Sequence, residues 1–252
     1  MDDKAESRYF VKALDRSLQV MRSFSAESPE MTISQVATRS GLTRASARRI
    51  LLSLVDLGYA EKEENLFRLR PRVLQIGYAY LTSLGIAHRG QYVLETLTNE
   101  TQESCSLSVL DGDEIVYVAR STVPGLASIA ITIGARLPAH ATAMGRVLLA
   151  GLPAPELDEY FKTATLQRFT AKTVTSETVL RKVLEKVGDE GYAYISGELW
   201  DDSMEVIAVP VTKAGGRVIA AISLYTGRIT EEVMLGDYLT KLRNAARLLA
   251  EG

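Results

Sequence analysis

Three arginines stand close together at positions 44, 48 and 49, in the run LTRASARRILLSLV. Between Met31 and Val55 there are four arginines and neither Asp nor Glu. A guanidinium can fork onto guanine O6 and N7, or bind a phosphate. Such a cluster therefore suits a polyanion; its plainest alternative is a solvated basic face on a helical hairpin. Other reactive side chains are scarce. Cys105, His88 and His140 are the only Cys and His residues, and their separations of 17, 35 and 52 fit no common zinc pattern. There is no Gly-x-Ser-x-Gly elbow, phosphate loop or dinucleotide fingerprint. Cys105 lies in an apolar stretch, where a free cysteine is usually a small buried hydrophobe. No catalytic residue, metal ligand or cofactor is expected.

The arginines need elements to hold them, and the flanking residues supply these. Thr32 is placed as an N-cap with Gln35 three residues on, the spacing of a capping box. Ile33, Val36 and Ala37 then share one helical face. Gly41 allows a sharp turn, and Thr43 can cap a second helix. Ala47, Ile50, Leu51, Leu54 and Val55 form that helix's inward stripe, and Gly58 can end it. Ala45, Arg48, Arg49 and Leu52 fall on the opposite face, with Arg44 at its border. This is a helix-turn-helix, whose second helix meets the major groove with its N-terminal turns. Tyr59–Glu63 and Leu66–Leu69 read as two strands of a wing around Glu64–Asn65. Lys62, Arg68 and Arg70 could reach phosphate there. Glu61, Glu63 and Glu64 oppose it, so the wing contribution should be weak. The expected DNA contacts are Thr32, Thr43, Arg44, Ala45, Ser46, Arg48, Arg49, Lys62 and Arg68.

The 252 residues carry 46% hydrophobic and 24% charged side chains and a formal charge of −2, which suits a soluble globular protein of two domains. Residues 1–70 balance at +2 and residues 71–252 at −4. A chain so weakly charged must contact nucleic acid through a local patch, which favours site-specific over architectural binding. No segment approaches the ~20 apolar residues of a membrane span. The opening MDDKAESRYF is not a secretory leader, and a lone cysteine fits a cytoplasmic setting without disulfides.

The expected organisation is a DNA-binding domain over 1–70, a linker helix over 71–85, and a second domain over 86–252. Residues 1–9 read as a mobile arm, and Phe10–Phe24 as a helix behind the motif. Pro71 can open the linker helix, whose Tyr78 and Tyr80 suit either a dimer contact or packing against its own domain. A helix to Thr101 follows. Ser104–Leu110 and Glu114–Arg120 alternate as strands around the Asp111-Gly112-Asp113 turn. Ile129–Ile133, Tyr192–Ser196, Val206–Thr212 and Val218–Tyr225 are further strands. Ala141–Ala150, Pro155–Lys162, Thr178–Gly191 and Thr230–Glu251 are helices. The class is α+β with a mainly antiparallel sheet.

His140–Gly145 offers a second site. Small residues opening a helix leave backbone N–H groups free, and with the helix dipole these attract a carboxylate. Ala141, Ala143 and Gly145 keep side chains out of the way, and Thr142 can cap or donate. Close packing of a strand would demand the same small residues.

Seven stretches, in order, resemble the IclR family of bacterial transcriptional regulators. They are ALDRSLQVMRSF, TISQVATRSGLTRASARRILLSLVDLGYA, FRLRPRVLQIGYAYL, VLDGDEIVYVAR, GARLPAHATAMGRVLLA, RFTAKTVT and IAVPVTKAGGRVIAAISL. Within the family, FVKALDRSLQVMRSF, LTRASARRILLSLVDLGY and LQIGYAYL look most like the regulators of protocatechuate and 4-hydroxybenzoate breakdown. The resemblance implies a winged helix-turn-helix on double-stranded promoter DNA, a linker helix, and a GAF-like effector domain that binds a small organic carboxylate. It also implies a homodimer or homotetramer. By motif it places effector contacts at Leu126, Ala143, Met144, Ser196, Val206, Ser223 and Tyr225. The chain departs from the family over GELWDDSME, Gly197–Glu205, where a glycine is common near Ser203 and a cysteine at Val206; Trp200 is unusual there. Two other readings stand beside this one. In one the second domain serves only to assemble oligomers, so that no ligand changes stability or DNA affinity; in the other it processes a small molecule as an enzyme.

Overall fold

The structure, a computed structural model, describes residues 9–83, 85–123, 131–199, 205–226 and 231–251. Most of the expected N-terminal arm, together with Leu126 and Trp200, lies outside them. The chain forms two compact units, Met1–Tyr80 and Leu81–Gly252.

The first unit holds α1 (Lys12–Arg22), β1 (Glu30–Thr32), α2 (Ile33–Ser40), α3 (Arg44–Asp56), β2 (Ala60–Glu63) and β3 (Leu66–Leu69). Thr32 caps α2 as its spacing with Gln35 requires: its hydroxyl accepts from Gln35 N, and the Gln35 side chain accepts from Thr32 N at 2.8 Å. A cap of this kind contributes about 1 kcal/mol. Gly41 adopts φ 66°, a left-handed turn that frees the chain to change direction between α2 and α3. Val20, Met31, Val36, Ala37, Ala47, Leu51, Leu54, Ala60 and Phe67 fill the core between these elements. The expected wing hairpin pairs Glu61 with Arg68 and Lys62 with Phe67. A third strand, β1, extends it by pairing Met31 with Phe67. Periodicity cannot signal a strand of three residues that lies immediately before a helix cap.

After a 3₁₀ turn at Pro71–Val73 comes α4 (Leu74–Ser83), which buries no residue. The second unit contains α5 (Ala87–Thr101), β4 (Ser104–Asp111), β5 (Glu114–Ser121), β6 (Arg136–Pro138), α6 (Ala143–Ala150), α7 (Ala154–Thr163), α8 (Glu177–Glu190), β7 (Ala193–Ser196), β8 (Glu205–Thr212) and β9 (Val218–Thr226). It closes with α9 (Glu231–Val233), a π turn at Met234–Tyr238 and α10 (Leu239–Ala250). The π turn keeps both Met234 and Tyr238 buried, and the Tyr238 hydroxyl donates to Thr101 O at 3.0 Å. All strand pairs in the six-stranded sheet are antiparallel, in the order β6-β5-β4-β9-β8-β7.

Both faces of the sheet are covered. Cys105, Leu107, Val109, Ile222 and Leu224 pack one face against α5 and α10. Ile115, Tyr117, Ala208 and Ala221 pack the other beneath α6 and α8. Burial pushes the Cys105 thiol up to about 12, so it stays neutral and unreactive near pH 7. The expected strand at Ile129–Ile133 is corrected: residues 129 and 130 are not described, 131–133 are not strand, and the edge strand is β6. β6 pairs with β5 through three residues only, too short a run for alternation to register.

Candidate functional site

The exposed face of α3 carries Arg44, Ala45, Arg48 and Arg49, while Ala47, Leu51 and Leu54 are buried beneath it. Thr43 accepts from Ser46 N at 3.2 Å, which pins the first turn of the helix. Among the described residues, the side chains of Arg44, Arg48 and Arg49 make no ion pair or hydrogen bond, nor does that of Lys62. Their charges are thus available to an incoming polyanion. Three other arginines of this unit are engaged. Arg39 donates to Ser23 O at 3.3 Å, and Arg72 donates to Leu57 O at 2.8 Å at the end of α3. Arg68 sits among Glu30, Glu61 and Glu63: it pairs with Glu30 at 3.0 Å, lies 3.8 Å from Glu63, and donates to Glu61. The three carboxylates hold its guanidinium within the sheet, with β1 bringing in Glu30 from 38 residues away.

The second unit holds a pocket between the sheet and α6, about 630 Å³ when the open solvent at its mouth is counted. Ala143, Met144, Val206, Ser223 and Tyr225 line it together, as do Ala141 and Thr142. This mix of apolar wall and few polar groups is what a small-ligand site needs. Thr142 caps α6 by accepting from Gly145 N at 3.1 Å. Met144 is steadied by the Ser108 hydroxyl, which approaches its sulfur at 3.2 Å. Ser196 does not line the pocket: Ile195 faces it, and alternation along β7 turns Ser196 to the other side of the sheet. Gly145 is small for a reason unconnected with the pocket. A Cβ there would stand 2.1 Å from Ala139 O and 2.4 Å from Ala139 Cα.

Several lining residues escape a reading of the sequence: Ser106, Tyr117, Arg120, Ile195 and Glu198. Arg120 is the instructive one. Plain alternation from Ile115 and Tyr117 would put Ala119 in the pocket. A bulge inserts Val118, because Ser108 pairs with Tyr117 and Leu107 with Ala119. The bulge reverses the phase, so Arg120 faces inward beside Ser106. Its guanidinium lies 5.7 Å from the Tyr225 ring centre and donates to the Tyr225 hydroxyl at 3.3 Å and to Ile131 O. Burial raises the Tyr117 hydroxyl pKa, so it remains a neutral donor.

At the other end, Glu198 accepts from Arg146 Nη2 at 2.5 Å and from Val174 N at 3.2 Å, both on Oε2. Arg146 is buried and also donates to His140 O at 3.0 Å. Thr173 Oγ1 donates to Glu198 O at 2.6 Å and Thr170 Oγ1 to Gly197 O at 2.8 Å. These bonds fix the loop after β7 to the segment before α8. His140 Nε2 lies 2.9 Å from Gln167 O, and burial lowers its pKa. Cys105 lies across the sheet from it, so the two form no nucleophile–base pair.

A two-unit chain with a capped helix-turn-helix, a wing and a pocketed antiparallel domain defines a one-component regulator. The chain belongs to the IclR family: residues 13–64 match the IclR helix-turn-helix domain and 78–251 the C-terminal domain of bacterial IclR transcriptional regulators. It is a DNA-binding transcriptional regulator. It is similar to the Pca regulon regulatory protein of Pseudomonas putida, 36% identical over 94% of this chain and 82% of that protein. It is also similar to the p-hydroxybenzoate hydroxylase transcriptional activator of Acinetobacter baylyi, 34% identical over 95% of this chain and 91% of the relative. An IclR homologue from Microbacterium hydrocarbonoxydans, solved with 4-hydroxybenzoate, superimposes with a TM-score of 0.83 at 25% identity, covering 95% of this chain and 98% of that one. Among the described residues, no helix is long and apolar enough to cross a membrane, and no cluster of His, Cys, Asp or Glu is disposed to hold a metal.

Proposed function

We propose that this regulator senses a small aromatic carboxylate in the pocket under α6 and acts, as a non-catalytic cytoplasmic protein, on a promoter through α3. The observation that carries this reading is the pocket itself. Its wall is largely apolar, and Ser106, Ser223, Tyr225 and Arg120 cluster at one end of it. Two of the relatives described above are linked in their names to 4-hydroxybenzoate, which agrees with that chemistry. In this reading residues 1–70 form the DNA head, 71–85 the linker and 86–252 the effector domain. Arg44, Arg48 and Arg49 read bases or grip phosphate, with Thr43, Ala45 and Ser46 at the same helix end and Thr32 and Lys62 on flanking backbone. Arg68 organises the wing instead of touching DNA.

A thermal melt of the full chain against benzoate, 4-hydroxybenzoate and protocatechuate tests the effector assignment. A ligand at 100 times its Kd adds about 2.7 kcal/mol to the stability of the domain that binds it. For a unit of this size that is a rise of roughly 5–10 °C. No rise with any of the three favours a domain built only for oligomerisation.

A winged helix reads only a short half-site, so useful affinity needs two heads. The surface for pairing is present: on α4, Leu74, Ile76, Tyr78 and Tyr80 are exposed, and on α1 Leu14 and Leu18 are. A second copy is the natural cover for such an apolar face. Light scattering at micromolar concentration is expected to give a dimer or tetramer. A particle of 27.6 kDa, that of one chain, would refute this.

A further inference from the structure

The two ends of the pocket differ in hydrogen-bonding character. At one end Ser106 and Ser223 are register partners on β4 and β9, each 3% exposed, and both line the cavity. Neither hydroxyl has a hydrogen-bond partner among the described residues. Both hydroxyls open onto the cavity and are available to whatever occupies it. Arg120, the register partner of Ser106 on β5, adds positive charge to the same end. At the far end stands Glu198, past the close of β7, with β4, β9 and β8 between β5 and β7. Its Oε2 is occupied by Arg146 and Val174, but Oε1 has no partner among the described residues, and the side chain is only 13% exposed. Between the two ends the wall is apolar: Ile131, Met144, Ile195 and Val206.

One end therefore offers hydroxyl donors beside a positive charge, and the other presents the Glu198 carboxylate. We propose that the pocket selects a monocarboxylate bearing a hydroxyl group at its opposite end, and excludes dicarboxylates. This rests on the aromatic-acid reading above and sharpens it. The ligand carboxylate takes the hydroxyls of Ser106 and Ser223 beside Arg120. The ligand hydroxyl donates to Glu198 Oε1. A second carboxylate at that position has no proton to give and would face Glu198 as a like charge. Arg146 and the Val174 N–H hold the Glu198 side chain in place, which makes it a specificity residue (the loop bonds to Thr170 and Thr173 fix its backbone).

The test is a calorimetric titration of the full chain with benzoate, 3-hydroxybenzoate, 4-hydroxybenzoate, and benzene-1,3- and 1,4-dicarboxylate. At least one hydroxybenzoate is expected to bind about tenfold or more tightly than benzoate, since a charged acceptor strengthens a hydrogen bond. The dicarboxylate of matching geometry should bind more weakly than benzoate. Glu198→Gln keeps an acceptor oxygen and loses the charge, so the preference for hydroxybenzoate over dicarboxylate should fall about tenfold. Ser106→Ala with Ser223→Ala should weaken benzoate and hydroxybenzoate alike. Equal binding of benzoate and both hydroxybenzoates by the unaltered chain would overturn the proposal, as would a dicarboxylate binding as tightly as its hydroxy counterpart. Those comparisons need no variant to fold. Binding of none of the five would instead remove the aromatic-acid reading, and this proposal with it.

Discussion

Arg48→Ala and Arg49→Ala are each expected to weaken binding to the promoter beside the regulator's own gene by about 1–3 kcal/mol per head. Both side chains are exposed on the outer face of α3, and among the described residues neither is neutralised by a carboxylate. The helix below them is anchored by Ala47, Leu51 and Leu54, so truncating the arginines leaves the fold unchanged. The two roles open to an arginine are separable. One that reads guanine loses affinity for its own site and relaxes the choice of base at one position. One that grips phosphate loses affinity for all sequences equally and flattens the salt dependence by about one unit of slope. Fluorescence anisotropy on specific and scrambled duplexes at two or more salt concentrations measures both. Unchanged affinity in both variants would remove α3 as the recognition helix. Arg68→Ala, by contrast, should act on the wing: it frees Glu30, Glu61 and Glu63 from their shared cation and leaves only Glu61 with a second partner, Arg70 at 3.9 Å.

Gly145→Ala is expected to destabilise the second unit by about 3 kcal/mol or more, at the upper end of the cost of overpacking. The added methyl group would meet backbone, not a flexible side chain, with Ala139 O at 2.1 Å and Ala139 C at 2.6 Å. Ala139 has little freedom to retreat. It is fully buried, its N–H donates to Asp113 O at 3.0 Å, and it lies between β6 and α6. The melt should fall by roughly 6–12 °C for a domain of this size. Gly188→Ala in α8 is the control, since a Cβ there meets nothing within 4 Å. It should raise stability by up to about 1 kcal/mol, as alanine does over glycine inside a helix. If Gly145→Ala melts with the parent chain, the 3₁₀ turn Ala139–Ala141 under α6 is looser than described.

These two regions differ in how far the sequence disclosed them. The DNA head was legible almost residue by residue, because its signals are local: a cap three residues from its partner, a glycine at a left-handed turn, and one helical stripe. Its least legible part was Arg68, whose role depends on Glu30 arriving through a three-residue strand. The pocket was legible only in part. Ala143, Met144, Val206, Ser223 and Tyr225 were placed by resemblance and do meet in one cavity. Ser196 failed because the strand's alternation turns it away. Arg120 was hidden by a bulge, which has no reliable signature in a single sequence, and Glu198 by an ion pair to a residue 52 positions distant. Small residues at His140–Gly145 suggested a site, yet the need for Gly145 comes from the backbone beneath it, and Thr142 already caps the helix end. Two causes of smallness, a ligand and a close backbone, leave the same trace in a sequence.

Ala143 is the residue on which these two causes separate most cleanly, since it lines the pocket and its replacement by tryptophan would fill the space a ligand needs. The measurement is a calorimetric titration of 4-hydroxybenzoate into the full-length parent and the Ala143→Trp variant, each first checked for a single melting transition and for promoter binding. The parent should show one saturable site per chain. The variant should show none while holding the promoter as the parent does. A variant that binds the acid with the parent's affinity and stoichiometry would contradict the account, because the effector would then sit elsewhere.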